Sequence, residues 1–149
     1  MFHMKERTAL AEGTATKMSD IRGRLSVLWI VIMLNMIYAD ILSFLKPELL
    51  RDLMTGYAEG IRVTQQLLVG SAVMGEIPIL MVLLTRIMKP TVNRWANFVA
   101  VPLTAAFIIG GGSTSPDYLF LAAIELTCLA LILRHVWLWR VNTSPTVSG

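Results

Sequence analysis

Four long apolar stretches alternate with short polar segments along the chain. They cover residues 25–45, 67–88, 95–112 and 118–139. A helix needs about 20 apolar residues to cross the roughly 30 Å hydrocarbon layer of a bilayer. The pattern therefore predicts an all-α integral membrane protein built as a bundle of four transmembrane helices.

A shorter amphipathic segment follows the first stretch. Residues 48–57 place their large apolar side chains on one helical face and their polar side chains on the other: Leu49, Leu50, Leu53, Met54 and Tyr57 against Arg51, Asp52 and Thr55. Such a pattern is typical of a helix lying in a membrane interface. We expect a short interfacial helix between transmembrane helices 1 and 2, serving as a structural lid or as a partner-binding surface.

Composition and charge support this interpretation. Hydrophobic residues make up 55% of the chain and charged residues only 15%, which is too apolar for an ordinary soluble domain. Basic residues cluster before the first stretch, between the second and third, and after the fourth, whereas the link 113–117 has none. Since positive charge accumulates on the cytoplasmic side, we expect both termini in the cytoplasm, with residues 1–24 and 140–149 as flexible tails. The net charge of +3 then requires no nucleic-acid partner.

The tryptophans agree with this orientation. Under it, four of them fall at the cytoplasmic interface, where amphipathic rings prefer to lie: Trp29, Trp95, Trp137 and Trp139. Arg94, beside Trp95, is expected to contact lipid phosphates, and Asn93 is expected to cap the third transmembrane helix. We interpret these residues as anchors in the bilayer, the one partner that the composition itself implies.

Three carboxylates lie inside the apolar stretches. At 1.5 Å per residue, Asp40, Glu76 and Glu125 fall roughly 8, 14 and 10 Å below the outer surface, where the sequence has no lysine or arginine. Charging a carboxylate in hydrocarbon costs several kcal/mol, so such a group is protonated or faces water. If the three converge, they form a site that exchanges protons or attracts a cation. The alternative is that protonated carboxyls hydrogen-bond the helices together.

Glu76 is expected to be the central group of this site. Pro78 lacks the N–H that would bond the carbonyl of Met74, which leaves an acceptor free one turn from Glu76, and Gly75 opens room beside it. Asn35 and Tyr38 share a face of the first helix and are secondary candidates for the same site. Their other interpretation is hydrogen bonding between helices.

Neither a metal nor a cofactor is predicted. His3 and His135 lie away from the acidic residues, so no cluster of histidines and carboxylates forms. The lone Cys128 excludes an internal disulfide and a Cys-x-x-Cys redox pair.

Three functions stay open. The leading hypothesis is proton- or cation-linked transport of a small or lipophilic solute, with Glu76 as the titrating group, Glu125 beside it and Asp40 nearer the outer mouth. Because four helices make a small transporter, a homodimer is expected. The alternatives are a membrane enzyme or lipid-binding protein acting on a lipophilic substrate, and a non-catalytic accessory subunit of a larger membrane partner.

Several short blocks carry a resemblance to a known family. They are LNMIYAD (34–40), LMTG and AEG (within 53–60), EIP (76–78), VNRWAN (92–97) and GGGST (110–114). Over about residues 25–139 the chain resembles an uncharacterised bacterial family of small four-helix membrane proteins, a domain of unknown function. This resemblance implies the fold and the bacterial cytoplasmic membrane but no activity. More distantly, the chain resembles the DoxX-like superfamily, which includes subunits of quinone-linked oxidoreductases and membrane accessory proteins.

Overall fold

The computed structural model describes residues 2–58 and 60–138. Within these ranges the chain forms five α-helices and one two-stranded ladder: α1 (Phe2–Phe44), α2 (Pro47–Met54), β1 (Tyr57–Ala58), β2 (Ile61–Arg62), α3 (Gln65–Ile87), α4 (Pro90–Gly110) and α5 (Pro116–Leu138). All helices except α2 are long and apolar enough to cross a membrane. The predicted all-α class with four long apolar helices is therefore confirmed.

The long helices form a square bundle. α1 packs against α3 and α5, and α4 packs against the same two helices. The diagonal pairs in the described chain, α1 with α4 and α3 with α5, nowhere approach within 8 Å at their Cα atoms. The core is built mainly from α1, α4 and α5, with a smaller contribution from α3: Leu25, Trp29, Ile32, Met81, Ala100, Val101, Ile108, Cys128, Leu129, Ile132 and Val136.

α1 is longer than its apolar stretch. It begins at Phe2, so residues 2–24, predicted to be a flexible tail, are helical in the structure. This segment contains no proline and many strong helix formers, and a helix extends from an existing apolar span without a new nucleation step. Met1 and the predicted tail 140–149 lie outside the described residues.

α4 begins earlier than predicted. Its first residue is Pro90 and its N-cap is Lys89, so the prediction that Asn93 caps this helix is wrong. Proline is preorganised for the first helical position because its φ is already helical, and this sets the start ahead of the polar residues 93–94. Asn93 instead lies inside the helix and is fully buried.

The segment between α1 and α3 contains the predicted amphipathic helix, here α2, which has no buried residue. It ends at Met54 rather than Tyr57. Gly56 adopts a φ of 85°, which favours glycine and stops the helix, and Gly60 adopts a φ of 81°. β1 follows Gly56 and β2 follows Gly60, and the two strands form a short antiparallel ladder that the sequence did not predict, pairing Tyr57 with Arg62.

Two side chains, Lys46 and Tyr118, close the bundle at the end where α2 lies, here called the α2 end. Lys46 Nζ lies 2.9 Å from a carboxylate oxygen of Asp117 and donates a hydrogen bond of 2.8 Å to Ser115 Oγ. The Tyr118 hydroxyl donates to the carbonyl of Ile108 at 2.6 Å. A Cβ on Gly112 would contact the Tyr118 ring and lie 2.9 Å from that same carbonyl, so this turn is packed too tightly for a side chain.

Candidate functional site

Glu125 is the one acidic side chain that the described structure buries in the core. It lies on α5 with only 3% of its surface exposed. Leu121, Cys128 and Ile132 are buried at helical spacing on the same face. Its Oε1 atom is buried and has no hydrogen-bond partner in the described part of the chain. A polar atom in that state is unusual, because buried polar groups in proteins are nearly always paired.

The surroundings of Glu125 bring one predicted partner to it. Glu125 is nine residues beyond Pro116, about 14 Å along the helix axis from the α2 end. Asp40, on the neighbouring helix α1, lies within electrostatic range of it. Thr104, on the neighbouring helix α4, is also buried, and its hydroxyl has no partner among the described residues. This half of the core thus holds two buried side-chain oxygens without partners, on adjacent helices.

Glu76 occupies a different position. It is exposed on α3, the helix diagonal to α5, whereas Pro78, Met81 and Thr85 form the buried face of α3. At 100° per residue, Glu76 points about 160° away from Pro78 and about 140° away from Met81. The side chain of Glu76 is thus directed away from the core of the bundle. Asp40 lies within electrostatic range of Glu125, whereas Glu76 lies on the outside of the bundle.

Glu76 belongs to an exposed stripe along α3. The members are Val69, Val73, Glu76, Leu80, Leu83 and Ile87. They are separated alternately by four and three residues, which is the spacing of the contact positions in a coiled coil. We call these six residues the α3 stripe.

A second polar cluster lies in the core toward the other end of the bundle. Trp29 Nε1 donates to Asn97 Oδ1 at 2.9 Å, and Asn97 Nδ2 donates to Asn93 Oδ1 at 2.8 Å. Asn93 Nδ2 in turn donates to the carbonyl of Thr85 at 2.9 Å. These four residues, here called the amide network, link α1, α3 and α4, and the Trp29–Asn97 bond crosses the diagonal of the bundle.

The amide network was missed at the sequence level, although the chain carries a signal for it. Asn93 and Asn97 share one helical face with Ala100, Thr104 and Ile108, all buried. The prediction that Trp29 is an interfacial anchor is wrong for the same reason. Its ring is fully buried in the core rather than placed at an interface, because its N–H finds a buried acceptor that the sequence alone does not reveal.

The other predicted anchors have the exposure that anchoring requires. Trp95 and Trp137 are 68% and 71% exposed, and both contact the ring of Phe98, with centroid distances of 6.3 and 6.4 Å. The Arg94 guanidinium lies 5.8 Å from the centroid of the same ring. Trp139 lies outside the described residues. Their role in a bilayer stays a prediction.

The secondary candidates do not join the acidic pair through any described hydrogen bond. Asn35 Nδ2 donates to the carbonyl of Val31 on its own helix at 3.2 Å, and Tyr38 is exposed. Within the described ranges, no group of three or more histidine, cysteine, aspartate or glutamate residues is arranged to hold a metal ion. A buried carboxyl such as that of Glu125, with a second carboxylate within electrostatic range, is a group that can exchange a proton.

Comparison with known proteins gives a family and no activity. No curated protein and no solved structure matches the chain significantly. A family model described as a family of unknown function matches residues 17–146, which includes all four long apolar stretches. The chain therefore belongs to that family of unknown function, DUF6326.

Proposed function

We propose that this chain is an integral membrane protein that carries out proton- or cation-linked transport of a small or lipophilic solute, with Glu125 as its titrating group. α1, α3, α4 and α5 cross the bilayer, and both termini lie in the cytoplasm. The distribution of basic residues supports this orientation: Arg22, Arg24, Arg86 and Arg94 all lie toward the end of the bundle opposite α2.

The observation that carries the proposal is the burial of Glu125 without a hydrogen-bond partner for Oε1. An ionised carboxylate in this position would lack both water and a counter-ion, at a cost of several kcal/mol. The carboxyl of Glu125 must therefore be protonated or neutralised by a bound cation. A carboxyl held only to bind helices together would be expected to use its acceptor oxygens in interhelical hydrogen bonds.

Polar groups extend from Glu125 toward both ends of the bundle. Asp40 lies about 6 Å before the end of α1, nearer the α2 end than Glu125, which supports a role for it in passing protons between Glu125 and the outer solution. On the other side, α4 presents Thr104, Asn97 and Asn93 in turn on its buried face. This succession supports a proton route through an otherwise apolar core, with Asp40 as the outer relay.

The α3 stripe supports the predicted homodimer. A carboxyl facing lipid is costly, and intramembrane acidic residues almost always face a protein interior or a water-filled cavity. In a twofold dimer of membrane proteins, identical helices meet at equal depth, so Glu76 meets its own copy. A protonated carboxyl both donates and accepts, which makes the pair self-complementary. Coiled-coil spacing supplies the apolar contacts on either side.

Proton flux into liposomes tests the assignment of Glu125. The full chain is reconstituted with a pH-sensitive dye inside, and a potassium diffusion potential drives protons inward. Glu125→Gln keeps the size and hydrogen-bonding capacity of the side chain but cannot ionise, so we expect flux to fall to that of protein-free vesicles. Glu48→Gln, an exposed position on α2, is the matched control and is expected to retain the flux.

Two outcomes would contradict the assignment. Unchanged flux in Glu125→Gln would refute it outright. Loss of flux in Glu76→Gln together with normal flux in Glu125→Gln would transfer the titrating role to α3. Circular dichroism of each variant before reconstitution separates a loss of transport from a loss of fold.

A further inference from the structure

A basic pocket lies between α1 and the C-terminal end of α3, at the end of the bundle opposite α2. Its polar lining comes from Ser19, Asp20, Arg22, Arg24 and Arg86. Val27 contributes an apolar wall. The proposed transport path does not use this pocket.

Hydrogen bonds hold two of the arginines in place. Arg86 Nε donates to Ser26 Oγ at 3.1 Å, and Ser26 Oγ donates to the carbonyl of Val82 at 3.0 Å. Arg22 Nη1 lies 3.5 Å from the carbonyl of Arg86, within the last turn of α3. The two guanidinium groups are thereby held on neighbouring helices. Part of the side-chain entropy that ligand binding would remove is therefore already lost in the free protein.

The positive charge of the pocket is not neutralised by the described chain. Three arginines face one carboxylate, Asp20, and none of them forms an ion pair with a described residue. Arg22 Nε is buried and has no hydrogen-bond partner in that part of the chain. Contact with a helix C-terminus accounts for Arg22 Nη1, since cations are favourable there, but it leaves Nε without a partner among the described residues.

The position of the pocket matches a lipid headgroup layer. The apolar part of α1 begins at Leu25, directly after Arg24, and α3 ends at Ile87, directly after Arg86. The pocket thus spans the boundary where the polar segment meets the apolar bundle. Val27 is exposed on the apolar side of this boundary and offers a surface for an acyl chain.

We propose that this pocket binds a phosphate group through Arg22, Arg24 and Arg86. Guanidinium donors match phosphate oxygens in geometry and charge, and basic pockets between helices on the cytoplasmic side are suited to anionic headgroups. The phosphate belongs either to an anionic phospholipid, whose chains lie along Val27, or to a soluble phosphate. The experiment distinguishes the two sources.

The full chain is purified and delipidated in a maltoside detergent, which carries no phosphate. Native mass spectrometry and calorimetric titration then measure the binding of phosphatidylglycerol, phosphatidylcholine and inorganic phosphate. The test variant is Arg22→Gln with Arg86→Gln. The control is Arg51→Gln with Arg62→Gln, which removes the same charge from exposed positions at the α2 end.

We expect the double variant to lose about a hundredfold in affinity, roughly tenfold for each charge-assisted contact, while the control keeps the affinity of the parent chain. A preference for phosphatidylglycerol that disappears in the double variant supports the proposal and assigns a lipid source. Inorganic phosphate binding that disappears in the same way supports the proposal and assigns a soluble source. Equal affinity for every probe in the parent chain and the double variant overturns the proposal.

Arg24→Gln keeps the test decisive if the double variant does not fold. Arg24 is exposed and forms no hydrogen bond within the described ranges, so its replacement leaves the packing unchanged. A severalfold loss of phosphatidylglycerol or phosphate affinity is expected, and unchanged affinity overturns the proposal. Because the readout is binding rather than flux, the result is independent of the role of Glu125.

Discussion

Replacing Asn97 with leucine tests whether the amide network holds the bundle together. Leucine has nearly the shape of asparagine but neither accepts nor donates hydrogen bonds, so the substitution removes polarity without leaving a cavity. Two buried groups lose their partner, Trp29 Nε1 and Asn93 Oδ1. We expect Asn97→Leu to lower the free energy of unfolding.

The magnitude follows from these two orphaned groups. An unpaired buried donor or acceptor costs about 1–3 kcal/mol in soluble proteins. Interhelical hydrogen bonds in membranes average only about 0.6 kcal/mol, because the unfolded chain finds other partners in the lipid. Two groups therefore give an expected loss of about 1–3 kcal/mol. The greater hydrophobicity of leucine does not offset this loss, because the side chain lies in an apolar environment in both the folded and the unfolded protein.

The free energy of unfolding of each variant is measured in mixed micelles with an increasing fraction of dodecyl sulfate. Far-ultraviolet circular dichroism is the signal. Asn35→Leu is the matched control, since that amide donates only to its own helix and is expected to cost less than about 0.5 kcal/mol. Trp29→Phe completes a double-mutant cycle with Asn97→Leu. Its coupling energy should be about 0.6–1.7 kcal/mol. Equal unfolding free energies of Asn97→Leu and the parent chain, or strictly additive effects of the two substitutions, would show that the amide network does not stabilise the bundle.

Two further predictions concern the turn before α5 and the α3 stripe. Gly112→Ala should destabilise the fold by about 1–3 kcal/mol, because its Cβ meets the Tyr118 ring. Gly110→Ala, whose Cβ meets nothing within 4 Å, should leave the stability unchanged, so equal melting temperatures of the two variants would argue against the tight turn. Val73→Cys in the α3 stripe should form disulfide-linked dimers in membranes under mild oxidation. Leu103→Cys, which is exposed at a similar depth on α4, should not form them, and similar dimer yields of the two variants on gels would exclude the α3 interface.

Much of the fold could be predicted because hydrophobic length determines where long apolar helices lie. The four predicted stretches match α1, α3, α4 and α5, and the amphipathic pattern after the first stretch matches α2. The end of α2 was less accurate, since the turn that stops it depends on a glycine φ rather than on a periodic pattern. The likeness to DoxX-like proteins and the bacterial origin stay predictions.

The site was harder to predict, because depth along a helix says nothing about direction around it. Glu76 and Glu125 lie at comparable depths, yet one faces outward from α3 and the other inward from α5. The sequence does not contain the order of the helices around the bundle, so it could not show that α3 and α5 lie diagonally opposite each other. Trp29 illustrates the same limit, since only the fold brings Asn97 within 2.9 Å of its ring nitrogen.

The ion pair between Lys46 and Asp117 makes the two ends of the bundle respond differently to the solution. Its side chains are 32% and 39% exposed, so dissolved salt screens their attraction. The buried, uncharged amide network at the opposite end is not screened in this way. Raising the ionic strength should therefore weaken the ion pair at the α2 end while it leaves the hydrogen bonds of the amide network intact.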